Sequence, residues 1–101
     1  MGSPWPRTLS EAVDRLVLML SQAEKEEIAA LTEADLIGLH FGLGMQIRND
    51  FGLWQSNRLL LLDCQRIKYG DTAYPAEGLL LIDPDDVSMM IIRALWTRLR
   101  H

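Results

Sequence analysis

The residues best suited to chemistry lie near the middle of the chain. His40 has the side chain of a general base or a ligand, because an imidazole titrates near neutral pH. Arg48 presents a planar fork of donors that matches a carboxylate or a phosphate. Tryptophan is enriched in binding surfaces, which adds the nearby Trp54. The candidate binding residues are His40, Arg48, Asn49, Asp50, Trp54 and Asn57.

Each polar candidate also has a structural interpretation that the sequence leaves open. His40 could be a core histidine bonded to the backbone, because buried polar groups are usually hydrogen-bonded. The segment Arg48–Asp50 could tie the third predicted helix to the last one, since a buried arginine is normally paired within the fold. The carboxylates that could pair with Arg48 are Asp50, Asp63, Asp85 and Asp86.

Three familiar kinds of chemical site are not predicted. A metal site needs several ligands at fixed spacing, and the sequence has no such His/Cys/Asp cluster. Cys64 is the single cysteine and lies in a Leu-rich stretch, which is typical of a small core residue rather than a nucleophile. Gly42–Gly44 falls inside a predicted helix, whereas a phosphate loop joins a strand to a helix. We therefore expect no catalytic residue, metal or cofactor.

Apolar spacing and capping signals predict an all-α fold, a compact bundle of four to five helices. Thr8–Glu11 and Ser21–Glu24 match the capping box, in which a hydroxyl and a carboxylate satisfy the first backbone N–H groups. Asp83–Asp86 has an N-cap aspartate followed by proline at the first helical position. The predicted helices span residues 9–20, 22–31, 33–49, 56–66 and 84–99.

The segments around these helices predict one domain. Residues 1–6 lack the features of a signal peptide, and we interpret them as a disordered leader before a single domain over 7–101. Residues 67–78 contain Gly, Pro, Asp and Thr without periodicity, which is typical of an irregular loop. The apolar run 79–82 is too short for periodicity to decide between an extended strand and a buried approach to the last helix.

The third and last predicted helices have unusual compositions. A helical wheel of residues 33–51 places His40 and Arg48 within an apolar arc that also contains Ile37 and Phe41. Residues 87–99 are apolar nearly all round, so the last helix is predicted to be central to the core or buried against a second copy in a homodimer. The third helix also contains three glycines, which weaken helices: Gly38, Gly42 and Gly44.

Composition and charge narrow the function classes. An apolar content of 49% is enough to form a core, which argues against a disordered chain. The net charge is −4, and residues 1–50 carry the whole excess with eight acidic and four basic residues, so a nucleic-acid footprint is not expected. No apolar run approaches the ~20 residues that span a bilayer. With a single cysteine, we expect a cytoplasmic protein without membrane contact.

A long central motif resembles a known signature. The stretch HFGLGMQIRNDFGLW at 40–54, with Asn57 after it, resembles that of a bacterial family of small domains of unknown function. The family's closing Pro-Asp-Asp segment and Ile-Ile-x-Ala-Leu-Trp helix correspond here to 84–86 and 91–96. The resemblance covers most of residues 8–100 and implies a helical fold and a shared site, but no established activity. Gln46 stands where the family has a bulkier residue, and the segment before the Pro-Asp-Asp turn is longer.

Two classes of function remain. The first is a small non-catalytic protein–protein interaction module, such as an antitoxin, an immunity protein or a regulatory adaptor. Its small size, its acidic first half and its lack of a catalytic constellation favour it. The second is a small ligand-binding or enzymatic domain that uses a polar cluster around His40 and Arg48. We expect the first, with another protein as the partner.

Overall fold

In the computed structural model of the protein, residues 5–54, 57–70 and 82–100 are described. Within these ranges the chain is helical, as predicted, and the all-α prediction is confirmed. No helix in these ranges is both long and apolar enough to cross a membrane. The elements are α1 (Leu9–Met19), α2 (Gln22–Ala30), a 3₁₀-helix (Glu33–Leu39), α3 (Leu43–Asp50), α4 (Arg58–Tyr69) and α5 (Pro84–Leu99).

The predicted starts of α1, α2 and α5 are confirmed by their caps. The Ser21 hydroxyl accepts a hydrogen bond from the backbone N–H of Glu24, and the Glu24 carboxylate accepts one from Ser21 in return. Asp83 accepts from the backbone of Asp86 at 2.8 Å and places Pro84 at the first helical position. These side chains satisfy N–H groups that a helix cannot pair by itself. They therefore fix where α2 and α5 begin.

The last helix, α5, is the centre of the domain. It packs against α1, α2, α3, α4 and the 3₁₀-helix. Its apolar breadth is thus explained by contacts within the chain, because each side of the helix covers a different neighbour. The argument for a homodimer from that breadth no longer applies. Its buried residues are Val87, Ser88, Ile91, Ile92 and Leu95.

The prediction of one continuous helix over 33–49 is wrong. Residues 33–39 form a 3₁₀-helix, residues 40–42 turn, and α3 begins at Leu43. Gly42 occupies the N-cap of α3 with φ −92° and ψ −88°, outside helical values. Glycine favours such a break because it adopts unusual backbone angles at little cost. The break changes which side chains face the core, so Ile37 and Phe41 lie in solvent with 67% and 79% of their surface exposed.

The fourth helix lies further along the chain than predicted. It begins at Arg58 and ends at Tyr69, followed by Gly70 at φ +81°. The first residues of the loop predicted over 67–78 are therefore helical. Residues 71–81, which include the rest of that loop and most of the run 79–82, lie outside the described residues. Ile82 is buried, and its N–H donates to the Gln65 side chain at 3.1 Å.

The chain start joins the packed domain at Trp5 and Pro6. We assigned both residues to a loose leader, but Pro6 is fully buried. The Pro6 carbonyl accepts a hydrogen bond of 2.9 Å from the Asn57 side-chain amide. The Trp5 ring lies so close to Gly52 that a Cβ there would overlap it, and Gly52 has φ +70°. Gly52 is therefore required both for its backbone angle and for the space.

We predict that Asn57→Ala lowers the free energy of unfolding by about 2–3 kcal/mol. The Asn57 amide also donates to the Phe51 carbonyl at 2.7 Å, so the substitution leaves two acceptors without their donor. Asn57 is 6% exposed, so water cannot easily replace these bonds. Urea denaturation of the variant and the wild type measures the difference.

The matched control for this prediction is Ser21→Ala. It removes an N-cap at an exposed position and is expected to cost about 1 kcal/mol. If both variants lose the same free energy, Asn57 acts only as the cap of α4 and does not hold the chain start.

Candidate functional site

Arg48 is the centre of the candidate site, although it lies inside the domain. Only 4% of its surface is exposed. Its Nη1 donates to the Ser88 hydroxyl at 2.9 Å, and its Nη2 donates to the His40 carbonyl at 3.2 Å. One guanidinium therefore joins α3 to α5 and to the turn that precedes α3. The fork geometry of arginine allows several bonds from one rigid group.

The ion pair of Arg48 is weaker than its hydrogen bonds. The Nε atom lies 3.4 Å from the Asp85 carboxylate but makes no hydrogen bond within the described residues. The side chain of Asp85 is 56% exposed, so water screens the pair. Of the carboxylates considered from the sequence, Asp85 is the one that pairs with Arg48. The structure thus shows the tie between the third and last helices that was one of the two interpretations.

Ser88 is a polar partner that our sequence reasoning missed. It is completely buried, and its hydroxyl accepts from Arg48 while donating to the Asp85 carbonyl at 2.9 Å. A usable signal was present in the sequence. Ser88 precedes Ile91 and Leu95 by three and seven residues, which places a hydroxyl on the apolar face of α5.

Gly44 makes room for the guanidinium. A Cβ at this position would lie 3.1 Å from Arg48 Nη1 and 3.3 Å from the Leu39 carbonyl oxygen. Either contact is tight, and the second is to backbone, which cannot rotate away. The space beside Gly44 is thus taken up by the side chain of Arg48.

Two exposed aromatic side chains are linked to Arg48, Trp54 through its ring and Phe41 through the carbonyl of the preceding residue, His40. The His40 ring packs edge-on against Phe41, with ring centroids 4.9 Å apart. The Arg48 guanidinium lies 5.9 Å from the centre of the Trp54 ring, within cation–π range. Trp54 is 58% exposed and Phe41 is 79% exposed. The buried cation therefore contacts the exposed Trp54 ring and the backbone directly before Phe41.

The remaining sequence candidates do not join this cluster. Asn49 and Asp50 are exposed at the end of α3. Asn57 is buried at the start of α4, where it binds the Pro6 and Phe51 carbonyls. The structure therefore brings together His40, Arg48 and Trp54 and leaves the other three candidates in separate environments.

Exposed apolar side chains in the segment 37–45 are a further feature that the sequence did not reveal. Ile37, Phe41 and Met45 follow one another at intervals of four residues. Their exposed fractions are 67%, 79% and 47%. The helical wheel placed Ile37 and Phe41 in the core, and the break after Leu39 is the reason that this was wrong. We term these three exposed side chains, together with Trp54, the recognition surface.

Cys64 is a core residue. It is fully buried within α4, and burial, assisted by the charge of Asp63, raises the pKa of its thiol to about 12. A thiol with such a pKa holds almost no thiolate at neutral pH, and the thiolate is the nucleophilic form. Within the described ranges, no group of three or more His, Cys, Asp and Glu side chains is arranged to hold a metal ion.

We predict that Arg48→Ala lowers the free energy of unfolding by about 2–3 kcal/mol, because it leaves a cavity and removes the donor of two buried acceptors. Ser88→Ala is expected to cost about 1–2 kcal/mol, since it leaves Nη1 without its partner. Chemical denaturation of the purified variants measures both values.

Asp85→Asn is the control for the charge of the ion pair. It keeps the size of the side chain and is expected to cost less than ~1 kcal/mol, because the Asp85 side chain is largely exposed. A loss for Asp85→Asn equal to that for Arg48→Ala would show that the ion pair, rather than the hydrogen-bonding fork, holds α3 to α5.

We predict that Cys64 makes the protein less stable as pH rises above 9. The ordinary thiol pKa is 9.0 and the folded value is about 12, so the unfolded chain loses this proton first. The stabilisation is complete below pH 9 and is lost progressively up to about 12, with a loss of about 1 kcal/mol at pH 10. Unfolding at pH 8 and pH 10 measures it. Cys64→Ala lacks this contribution, and an identical pH dependence in that variant would contradict the assignment.

The comparisons with known proteins identify the family. A family model described as a domain of unknown function, DUF6794, matches residues 5–69, so the chain belongs to that family. The match starts at Trp5, includes the central motif at 40–54, and ends before α5. The comparisons found no match among curated proteins and none among solved structures.

Proposed function

We propose that this chain, a member of the DUF6794 family, is a small non-catalytic module that binds another protein, as an antitoxin, an immunity protein or a regulatory adaptor does. The recognition surface of Ile37, Phe41, Met45 and Trp54 would make the contact. One observation carries the proposal, which is the exposure of these four large apolar side chains to solvent. Clustered apolar residues at the surface are typical of interaction sites.

The chemistry of the surface supports a protein partner. Aromatic residues and methionine are enriched in interfaces, where tryptophan supplies much of the binding energy. Phe41 is exposed over 79% of its surface, so a partner could cover nearly the whole side chain. An exposed phenylalanine does not stabilise the isolated domain, because its apolar surface remains in water.

The contacts that Arg48 makes beneath the recognition surface also favour binding. Arg48 donates to the carbonyl of His40, directly before Phe41, and lies against the Trp54 ring. The backbone before Phe41 and the ring of Trp54 thus both contact a guanidinium that Ser88 binds in the core. A surface fixed before binding loses less conformational entropy when the partner arrives.

The alternative of an enzyme or small-molecule site has less support. The polar atoms of Arg48 are directed at groups of the same chain, and its side chain is 4% exposed. Two surface grooves that the described residues line have volumes of about 170 and 190 Å³. Sites for small ligands typically enclose about 300–1,000 Å³. The geometry therefore favours a protein partner over a small substrate.

We place the interaction in the bacterial cytoplasm. The central motif resembles a bacterial family, and Cys64 is a free thiol in a chain with no second cysteine. The partner is a different protein rather than a second copy, because α5, the helix that suggested a homodimer, is covered by five elements of its own chain.

A photo-crosslinking amino acid at position 41 tests this proposal. In cells of the native host, we expect it to form one major covalent adduct with a single protein. The same amino acid at Ile67, which is 54% exposed on α4, is the matched control and is expected to give no such adduct. Mass spectrometry of the adduct identifies the partner, which is then purified.

We predict that Phe41→Asp weakens binding of the purified partner by at least about 30-fold, the effect of a hot-spot residue worth 2 kcal/mol. Ile67→Asp makes the same chemical change at another exposed site and is expected to leave the dissociation constant unchanged. Isothermal titration calorimetry measures both. Equal binding by the wild type and Phe41→Asp would refute the recognition surface, and the lack of any adduct at position 41 would refute the proposed function.

A further inference from the structure

Two shallow grooves flank α2, and they differ in charge. The first lies between α2 and the segment 39–46 and has a volume of about 170 Å³. We term it the acidic groove. The second, of about 190 Å³, is lined in part by Lys25 and Glu26, whose charges balance. The acidic groove is lined by Leu20, Glu24, Glu27, Ile28, Leu39, Leu43 and Gln46.

The acidic groove combines an apolar floor with a negative wall. Four of its seven lining residues are leucine or isoleucine, and Glu24 and Glu27 are the charged ones. Its described lining includes no lysine or arginine. The hydrogen bond from the Ser21 backbone lowers the pKa of Glu24 below its usual value, so this carboxylate stays ionised. The groove therefore attracts cations at its edge and apolar groups at its floor.

We propose that the acidic groove binds a basic amphipathic helix of the partner protein. An apolar side chain of that helix enters between Leu39 and Leu43, and its Lys or Arg residues face Glu24 and Glu27. An amphipathic helix binds by laying its apolar face into a hydrophobic groove of its receptor. This inference rests on the proposed function and names the chemistry of the partner. The segment 37–46 supplies both the recognition surface and one wall of the groove, so a single partner can contact both.

Charge complementarity selects this occupant over others. A second copy of the chain is disfavoured, because its net charge is −4 and the acidic excess lies in residues 1–50. The chain's own segment 71–81 carries Asp71 and Glu77 and no basic residue, so it does not complement the groove. The volume of about 170 Å³ lies below the range of about 300–1,000 Å³ typical of small-molecule sites, so the groove suits an anchoring side chain better than a small-molecule substrate.

A synthetic helical peptide provides the first test. It has Leu at positions i, i+3, i+4 and i+7 and Lys elsewhere, and the control peptide has Glu in place of every Lys. We expect the Lys peptide to shift the backbone NMR signals of Leu20, Ile28, Leu39, Leu43 and Gln46 in the isotope-labelled protein. The Glu peptide is expected to shift none of them. Equal shifts with both peptides, shifts confined to other residues, or no shifts would each overturn the proposal.

Two charge-reversal variants separate the groove from the general acidity of the protein. Glu27→Lys changes a residue of the acidic groove, and Glu26→Lys makes the same change one residue away, in the other groove. We expect Glu27→Lys to weaken binding of the Lys peptide about tenfold at low salt, and Glu26→Lys about threefold or less. Equal weakening would show that only net charge attracts the peptide, which would overturn the proposal.

Binding of the crosslinked partner by the variants distinguishes failure of this inference from failure of the proposed function. If Phe41→Asp and Glu27→Lys both weaken binding of the purified partner while Glu26→Lys does not, both proposals hold. If Phe41→Asp weakens binding of the partner and Glu27→Lys leaves the affinity unchanged, the recognition surface stands and the acidic groove is not part of the interface. If Phe41→Asp has no effect, the recognition surface fails, and the effect of Glu27→Lys on binding of the partner alone decides whether the acidic groove is part of the interface.

Discussion

The hydrogen bond between Arg48 and Ser88 is the interaction on which the arrangement of the domain depends. It joins α3 to α5, the helix against which every other element packs. A buried guanidinium must find partners, because an unpaired charge in a core is costly. Here the partners are the Ser88 hydroxyl, the His40 carbonyl and, more weakly, Asp85. Gly44 follows from the same constraint, since a larger residue would occupy the space of the guanidinium.

The break between the 3₁₀-helix and α3 connects this core interaction to the surface. Had residues 33–49 formed one α-helix, Ile37 and Phe41 would face the core with Leu36 and Leu39. The turn at 40–42 directs them to solvent instead, and Arg48 binds the first carbonyl of that turn. A structural arginine and an exposed phenylalanine are therefore parts of one arrangement, in which the interior positions a surface that the domain itself does not bury.

Helix boundaries could be predicted from the sequence where a local capping signal sets them. They could not be predicted where contacts between distant segments set them. The starts of α2 and α5 followed from Ser21 and Asp83, because a cap is a contact between residues three positions apart. The break at Gly42 has no such local signature, since its apolar neighbours fit a helical period on either side. The bonds of Asn57 to the carbonyls of Pro6 and Phe51 could not be predicted, because they depend on chain segments that only the fold brings together.

The central claim is that Arg48 holds the turn that presents Phe41. Hydrogen exchange in Arg48→Lys tests it most directly, because lysine keeps the charge but cannot bond Ser88 and His40 with the same rigid fork. The amides of His40 and Gln46, bonded to the carbonyls of Ile37 and Gly42, are expected to exchange faster than in the wild type. The amides of Ile91 and Leu95 in the middle of α5 are expected to keep their protection. Unchanged exchange at His40 and Gln46, or an equal increase throughout α5, would contradict the claim.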